Sequence, residues 1–377
     1  MRHAVRSKRW VALALVAPAL LVAACGGVPV PKEIPSAAHP VIVLAADGLA
    51  AGGRGAPNLD ALAKESVRFE WAWAQAPEAE PSIASLLTGF YPGTHRVRRA
   101  GDTLPPEAKT LAEYFSEAGY DTAGFVGGAV KADQGFAQGF ATFEARPGAA
   151  DLGAKAIAWM RERAGKSFFV LLETGDGADP LIGELRAALR DLKLENRATL
   201  VVLGACGTRE GGEPSLGAAT THVPLLIRFP GAVRAGSVSE NVELVDVAPT
   251  LLETGGIAPP STLQGRSLAA LVRGEAKPPY VAFGESPHRG GQRFVVLAGY
   301  QMIQAVEGGA RQVFRLADDP LGKNDLAASE EKRAMVLEEH LGAWGLLVSA
   351  SSVDPSQQAT PLDDAALEKL KSLGYVQ

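Results

Sequence analysis

Five side chains are of types that could carry hydrolytic or metal-assisted chemistry, although they are scattered along the chain. Asp47 follows a short apolar run, and a carboxylate at the end of a buried strand lies where α/β sheets place their ligands. Ser82 offers a hydroxyl, His95 an imidazole and Asp176 a second carboxylate, the groups that nucleophilic and acid–base hydrolysis use. Cys206 offers a thiol, which is a soft metal ligand.

Common catalytic motifs do not connect these groups. Residues 207–212 are rich in glycine but lack the lysine of a phosphate-binding loop. Ser82 and Ser85 do not stand in a G-x-S-x-G turn, and no paired carboxylates at helical spacing indicate a glycosidase. No CxxC or HxxxH sequence accompanies Cys206, so a buried thiol is expected there rather than a zinc ligand.

Length and composition favour one large α/β domain with a smaller appendage. The chain has 377 residues, 47% of them hydrophobic, which is enough to bury a substantial core. Its formal net charge is −5, and nucleic acid is excluded as the main partner because phosphate binding needs a basic face.

The N-terminus has the pattern of an export signal. Basic residues precede an apolar run at residues 11–24, which is too short for a standard spanning helix and ends in Val-Ala-Ala before Cys25. This junction resembles the bacterial lipobox, in which the cysteine receives lipid; a plain secretory signal is the alternative. The resemblance implies a lipid-anchored envelope protein, in the outer membrane where the cell has one, with residues 25–38 as a tether.

Buried strands and amphipathic helices alternate through residues 39–276, which predicts a doubly wound sheet with helices on both faces. A helix is expected to start at Asp151 as its N-cap. Short strand patterns separated by turns follow in residues 277–348, before a long helix, and predict a small antiparallel sheet. Residues 349–377 read as a polar linker and a terminal helix.

Eight sequence segments resemble those of the sulfatase family, in the alkaline phosphatase superfamily, and occur in that family's order. The resemblance covers residues 39–377 and implies a sulfatase-like mixed sheet flanked by helices, with a small C-terminal antiparallel sheet and helix. The segments include PNLDAL at 57–62, TLAE at 110–113, VPL at 223–225, VDVAPTLL at 245–252 and GRSL at 265–268, and PSIASLLTG at 81–89 resembles part of the family's nucleophile loop.

The same resemblance implies that the catalytic groups have been replaced. The family's nucleophile, a Cys or Ser, falls on Ala79, and its arginine falls on Ile83. Its divalent cation, usually calcium, is held by two pairs of residues. Asp47 matches the first pair, whereas Cys206 and Gly207 take the places of the Asp and the His or Asn of the second. One carboxylate is too few for a hard cation that takes about six oxygens.

These replacements predict a sulfatase-like lipoprotein without catalysis or cofactor, its calcium lost, which acts in binding or as a scaffold at the cell envelope. An anionic or sulfated glycan and an envelope protein are the partners considered. The alternative is a divergent sulfuric or phosphoric ester hydrolase that uses Asp47, Ser82, His95 and Asp176. Asp47 is expected to bond a nearby helix N-terminus, and His95 to lie in a surface turn.

Overall fold

The computed structural model describes residues 37–49, 56–145, 148–175, 177–208, 213–231, 235–351, 353, 361–373 and 375. The predictions for the signal segment, for Cys25 and for Asp176 therefore lie outside the described residues.

The main element is a mixed sheet of eight strands. In space the strands follow the order β4-β3-β5-β1-β6-β7-β2-β8, and β7 runs antiparallel to both of its neighbours. β1 lies between β5 and β6 and is parallel to both. The strands are β1 Val41–Ala46, β2 Val67–Trp73, β3 Asp121–Val126, β4 Thr142–Ala145, β5 Phe168–Thr174, β6 Thr199–Gly204, β7 His222–Arg228 and β8 Gly236–Glu243.

Helices cover both faces of this sheet, as predicted. Val43 and Ala45 of β1 belong to the core layer that contains α2, α4 and α8, whereas Ile42 and Leu44 belong to the layer under α1, α5 and α6. The helices of the main domain are α1 Pro57–Ala63, α2 Ala79–Thr88, α3 Pro92–His95, α4 Leu111–Glu117, α5 Ala149–Arg161, α6 Ala178–Asp191, α7 Ala218–Thr221, α8 Val247–Thr254 and α9 Leu268–Val272.

The C-terminal part forms the expected small antiparallel sheet. Its strands are β9 Ala282–Ser286, β10 Gln292–Leu297, β11 Tyr300–Ala305 and β12 Arg311–Arg315, paired in sequence order. The long helix α10, Glu331–Ser349, packs on this sheet through Trp344, whose ring stacks on Phe283 with 5.5 Å between centroids. The terminal helix α11, Asp364–Ser372, contacts α10.

Some local predictions were wrong or incomplete. Asp151 is not the N-cap of α5; it lies in the first turn, and Gly148 occupies the cap position. β2 and β8 were not predicted as strands. β2 contains a register shift after Phe69, which breaks its alternation, and β8 is an edge strand with the polar sequence GSVSENVE.

Candidate functional site

Asp47 and Cys206 lie side by side at the carboxyl edge of the sheet. β1 ends at Ala46 and β6 at Gly204, and these two residues are paired in register. The Sγ of Cys206 donates a hydrogen bond to Oδ1 of Asp47 at 2.7 Å, and Cys206 is fully buried. Asp47 thus accepts a hydrogen bond from a thiol that follows the neighbouring strand, and its expected bond to a helix N-terminus stays a prediction. The expectation of a buried thiol is confirmed.

Gly207 is packed so closely that a side chain does not fit there. A Cβ atom built on Gly207 would lie 2.2 Å from the carbonyl oxygen of Ala219, at the start of the segment that leads into β7. Real Cβ atoms do not approach a backbone oxygen to that distance, so a histidine or asparagine at this position would require the backbone to move. The space beside residue 207 is therefore closed to a side chain.

Sequence reasoning missed a second carboxylate at this edge, Glu173 near the end of β5. Its Oε2 accepts hydrogen bonds from the backbone N–H groups of Gly127, Gly128 and Ala129 at 2.9, 3.1 and 3.2 Å. Burial, with a smaller contribution from the charge of Asp47, raises the pKa of the Glu173 carboxyl. The signal that could have found it is a lone acidic residue within the otherwise apolar run FFVLLET. Its contacts fix the loop after β3.

The beginning of α2 is buried and apolar where the family resemblance places chemistry. Ala79 is the first residue of the helix and is 2% exposed, and Ile83, one turn later, is fully buried. Both side chains belong to the same core layer as Ala45 and Ala205. A methyl group and a branched alkyl group therefore pack on the face of the sheet to which Ala45, two residues before Asp47, also belongs.

Ser82 and His95 are structural in their contacts. The Ser82 hydroxyl is fully buried and bonds the carbonyl oxygens of Ala76 and Glu78 at 3.1 and 2.9 Å. The expectation that His95 lies in a surface turn was wrong, because His95 is fully buried. It was misjudged because the turn around it is polar in sequence, whereas the ring points into the body of the domain.

His95 joins α3 to α2 as a neutral ring. The N–H of Val97 donates to its Nδ1 at 3.2 Å, which places the ring proton on Nε2, and Nε2 lies 2.9 Å from the Oγ of Ser85. Burial lowers the pKa of His95 to about 3, so the ring carries no charge at neutral pH. The same burial makes it a poor proton shuttle.

A buried acid–histidine contact, also missed from sequence, joins α2 to the C-terminal sheet. Glu78 immediately precedes α2 and is 6% exposed, and its Oε2 lies 2.7 Å from Nε2 of His288, in the turn after β9. In the same region Arg98 forms an ion pair of 2.8 Å with the buried Glu285. These side chains come from segments far apart in sequence, so spacing alone gives no signal for their contact.

The residues at this edge do not fit the divalent cation of the family. Cys206 contributes sulfur, Gly207 contributes no side chain, and one oxygen of Asp47 accepts a hydrogen bond from the thiol. Calcium takes six to eight oxygen ligands. Within the described ranges, no group of three or more His, Cys, Asp and Glu side chains is placed to hold a metal ion.

Comparisons with known proteins agree with this architecture. The sulfatase family model matches residues 44–159, and the model of the C-terminal region of N-sulphoglucosamine sulphohydrolase matches residues 217–341. A solved structure of a protein in complex with its substrate D-glucosamine-2-N,6-O-disulfate superimposes with a TM-score of 0.73 at 15% identity, and the match covers 85% of this chain and 100% of that one. The fold is that of the sulfatases, and the chain belongs to the sulfatase family.

Among curated proteins, the matches are short. An ulvan-active sulfatase of Formosa agariphila is 48% identical over 67 residues, which is 18% of this chain and 13% of that protein. Arylsulfatase K of Danio rerio is 35% identical over 99 residues, 25% of this chain and 19% of that protein. The aligned parts thus span less than a fifth of the length of these relatives.

Proposed function

We propose that this protein is a non-catalytic member of the sulfatase family that acts in binding or as a scaffold at the cell envelope. The observation that carries the proposal is the closed packing of the edge at which Asp47 lies: Gly207 abuts the Ala219 carbonyl, and Asp47 accepts a hydrogen bond from the Cys206 thiol. Loss of one group alone is compatible with altered chemistry. Here, in addition, the Ala219 carbonyl occupies the space beside Gly207, and Cys206 is hydrogen-bonded to Asp47.

The requirements of sulfate and phosphate ester hydrolysis support this proposal. Nucleophilic catalysis needs an oxygen or sulfur that can attack, and the methyl group of Ala79 offers neither. Charge that develops on a sulfate or phosphate ester needs a cation or a guanidinium nearby, and Ile83 is apolar and fully buried. The one hydroxyl at the start of α2, that of Ser82, bonds two backbone carbonyls and would have to break those bonds to react.

The second candidate is a divergent sulfuric or phosphoric ester hydrolase. The names of the curated relatives, which are sulfatases, favour it. Such an enzyme would have to use Asp47, Ser82, His95 and Asp176 without the family's nucleophile. Against it stand the fully buried, uncharged His95 ring and the hydroxyl of Ser82 that faces backbone oxygens.

For partners, we propose a lipid anchor at Cys25 in the membrane and, at the protein surface, an anionic or sulfated glycan or an envelope protein. The N-terminal sequence motivates the anchor, and the sulfated sugar bound by one structural neighbour, D-glucosamine-2-N,6-O-disulfate, motivates the glycan. In the part of the chain that the structure describes, no helix is long and apolar enough to cross a membrane. We expect no resident cofactor, because the donor set does not suit calcium.

Turnover and metal content test the proposal together. Purified protein should hydrolyse 4-nitrophenyl sulfate and bis(4-nitrophenyl) phosphate only at the buffer rate, with or without calcium, and should contain far less than one divalent ion per chain. The double variant Asp47→Asn with Ser82→Ala is the control for contaminating hydrolase, because it removes two of the four groups on which the alternative relies. Turnover that a chelator abolishes, that the double variant lacks and that accompanies a stoichiometric metal would establish the hydrolase instead.

A further inference from the structure

The amino edge of the eight-stranded sheet, at which its parallel strands begin, is also the edge at which the N-terminal segment joins the domain. β1 is the first strand of the described chain, and it lies between β5 and β6. The residues before β1 therefore leave the domain between two connections, one from α5 to β5 and one from α6 to β6. A hollow at this edge is lined by all three segments, among them His39, Lys166 and Arg197.

The two connections beside β1 are rich in basic residues. Residues 161–167 and 190–198 contain three acidic side chains and six basic ones, which are Arg161, Arg163, Lys166, Arg190, Lys193 and Arg197. A helix dipole favours a cation in the last turn, which accounts for Arg161 in α5 and Arg190 in α6. The other four follow the helix ends or the last turn, so the helix dipoles do not account for them.

Three of these six cations have no acidic partner among the described residues. Lys166 lies 3.3 Å from the carboxylate of Asp121. By contrast, Arg190, Lys193 and Arg197 are exposed, and within the described ranges none of them forms an ion pair. Their positive charge is therefore available to an anionic partner outside the chain.

The rest of the molecule has the opposite charge. Four of the 37 basic residues and none of the 42 acidic ones precede Cys25, so the chain after the predicted cleavage has a net charge of −9. The two connections beside β1 contribute +3 to this total, which leaves −12 on the remainder. An anionic surface would therefore attract the amino edge and repel the rest of the protein, and this asymmetry would orient the molecule.

From this placement we propose that the amino edge of the sheet lies on the surface of an anionic phospholipid membrane, with the two connections beside β1 as the contact. The inference rests on the membrane location proposed above. From Cys25 to Ala37 the chain spans at most about 40 Å, so an anchor at Cys25 keeps this edge near the bilayer. Basic side chains within a Debye length of an anionic leaflet are attracted to it. The opposite edge, with Asp47 and Cys206, then faces away from the membrane.

Vesicle sedimentation tests the contact in the absence of the anchor. The chain from residue 25 onward, with Cys25→Ser, carries neither the signal segment nor a lipid. It should bind vesicles made of equal parts phosphatidylcholine and phosphatidylglycerol at least tenfold more tightly than vesicles of phosphatidylcholine alone. A high salt concentration should abolish this difference, because it screens the attraction between the basic side chains and the lipid headgroups.

Charge reversal beside β1 should weaken the binding at least tenfold when three exposed cations are changed together: Arg190→Glu, Lys193→Glu and Arg197→Glu. The matched control changes the net charge equally by reversing three exposed lysines of the C-terminal part: Lys323→Glu, Lys332→Glu and Lys369→Glu. The C-terminal sheet packs beyond the carboxyl end of β2, where the N–H of Glu285 donates to the carbonyl oxygen of Gln75. The control lysines therefore belong to the other end of the molecule, and their reversal should leave binding within twofold of wild type.

The proposal is overturned if the folded protein does not bind the anionic vesicles, if neutral vesicles bind it equally well, or if the control reversal weakens binding as much as the reversal beside β1. Binding to dextran sulfate without binding to anionic vesicles would assign this edge to a polysaccharide and would equally overturn it. The salt dependence of the unsubstituted edge decides the question even where a triple variant does not fold. The mass of the mature wild type reports the lipid on Cys25 separately, so failure of the anchor and failure of the contact are distinguishable.

Discussion

The Sγ of Cys206 donates a hydrogen bond to Oδ1 of Asp47 at 2.7 Å, although 159 positions separate the two residues in sequence. By resemblance to the family, a second carboxylate occupies the position of Cys206 and a cation holds the two acids together. A thiol is uncharged and supplies a donor, so the pair found here is stable without a cation. We propose that this replacement removes a metal ligand and, with it, the electrostatic reason for needing a metal.

Restoring the acid with Cys206→Asp should therefore destabilise the protein. A second carboxylate against Asp47 brings like charges together in a buried place, so we expect the free energy of unfolding to fall by about 2–4 kcal/mol at neutral pH. Cys206→Ser retains a donor and is the matched control, with an expected change of about 1 kcal/mol or less. Urea denaturation measures both. Millimolar calcium should not rescue Cys206→Asp, because Gly207 adds no ligand; full rescue would show that one substitution rebuilds the metal site.

The buried His95 should make stability depend on pH below neutrality. Its pKa is about 3 in the folded protein and near 6.5 when exposed, so the unfolded chain binds the proton more tightly. The stability it allows is complete above pH 6.5 and is lost as the pH falls from 6.5 towards 3. Linkage gives a loss of roughly 2 kcal/mol between pH 6.5 and pH 5 from this residue.

Denaturation curves of wild type and His95→Gln across that pH range measure the effect. The glutamine amide retains a group that can bond Ser85 but does not titrate. The variant is expected to be less stable at neutral pH because it fits the site less well, yet its stability should change with pH by roughly 2 kcal/mol less than that of wild type. Equal slopes in the two proteins would mean that His95 is not the buried neutral ring described above.

The contact between Glu78 and His288 should contribute to the docking of the C-terminal sheet on α2. His288→Ala leaves the buried carboxylate of Glu78 without its partner at 2.7 Å, and we expect a loss of about 3 kcal/mol in unfolding free energy. Glu78→Gln removes the charge, so adding it to His288→Ala should recover part of that loss. Additive effects in this double-mutant cycle would show that the two side chains are not coupled.

Lipid attachment at Cys25 remains a prediction from the sequence. Cys25→Ser should block lipidation, so the protein should move from the membrane fraction to the soluble fraction or remain unprocessed. Stable anchoring takes more than one acyl chain, which mass spectrometry of the mature protein would detect. A wild-type mature mass without lipid, unchanged fractionation in Cys25→Ser, or both, would favour the plain secretory signal.

The strands that line the centre of the sheet could be predicted because their sequences are continuous apolar runs. β1, β5 and β6 are buried on both faces, and a continuous apolar run such as VIVLAA is typical of such a strand. β8 could not be recognised in this way, because it is an edge strand and its many polar residues leave no continuous apolar run. Its place is decided by pairing with β2, which is a long-range event.

The contacts of the site residues could likewise be predicted only in part from the sequence. Asp47 and Cys206 follow neighbouring parallel strands, so their contact follows from topology. The burial of His95 was not predicted because it depends on the packing of α3 against α2, which the local composition does not indicate. The contact of Glu78 with His288 depends on how the C-terminal sheet packs against the main domain, and the spacing of the two residues in sequence does not predict that packing.

Replacing Ala79 by serine should not create a sulfatase. In active enzymes of this kind a nucleophile works together with a cation that lowers its pKa and with basic groups that stabilise developing charge. Ala79→Ser would place a hydroxyl at the start of α2, but Ile83 one turn later is apolar, and Cys206 and Gly207 supply no oxygen ligand. An isolated serine hydroxyl stays protonated at neutral pH and attacks esters slowly.

Groups that act as a unit are strongly non-additive, so one repaired member should recover almost nothing. Hydrolysis of 4-nitrophenyl sulfate and of bis(4-nitrophenyl) phosphate by Ala79→Ser should equal that of wild type within error, with calcium present or absent. Ala79→Gly is the matched control, because it changes the same position without adding a nucleophile. A hundredfold gain that is specific to the serine variant and is abolished by a chelator would mean that a working cation site survives beside Asp47, and the non-catalytic assignment would have to be withdrawn.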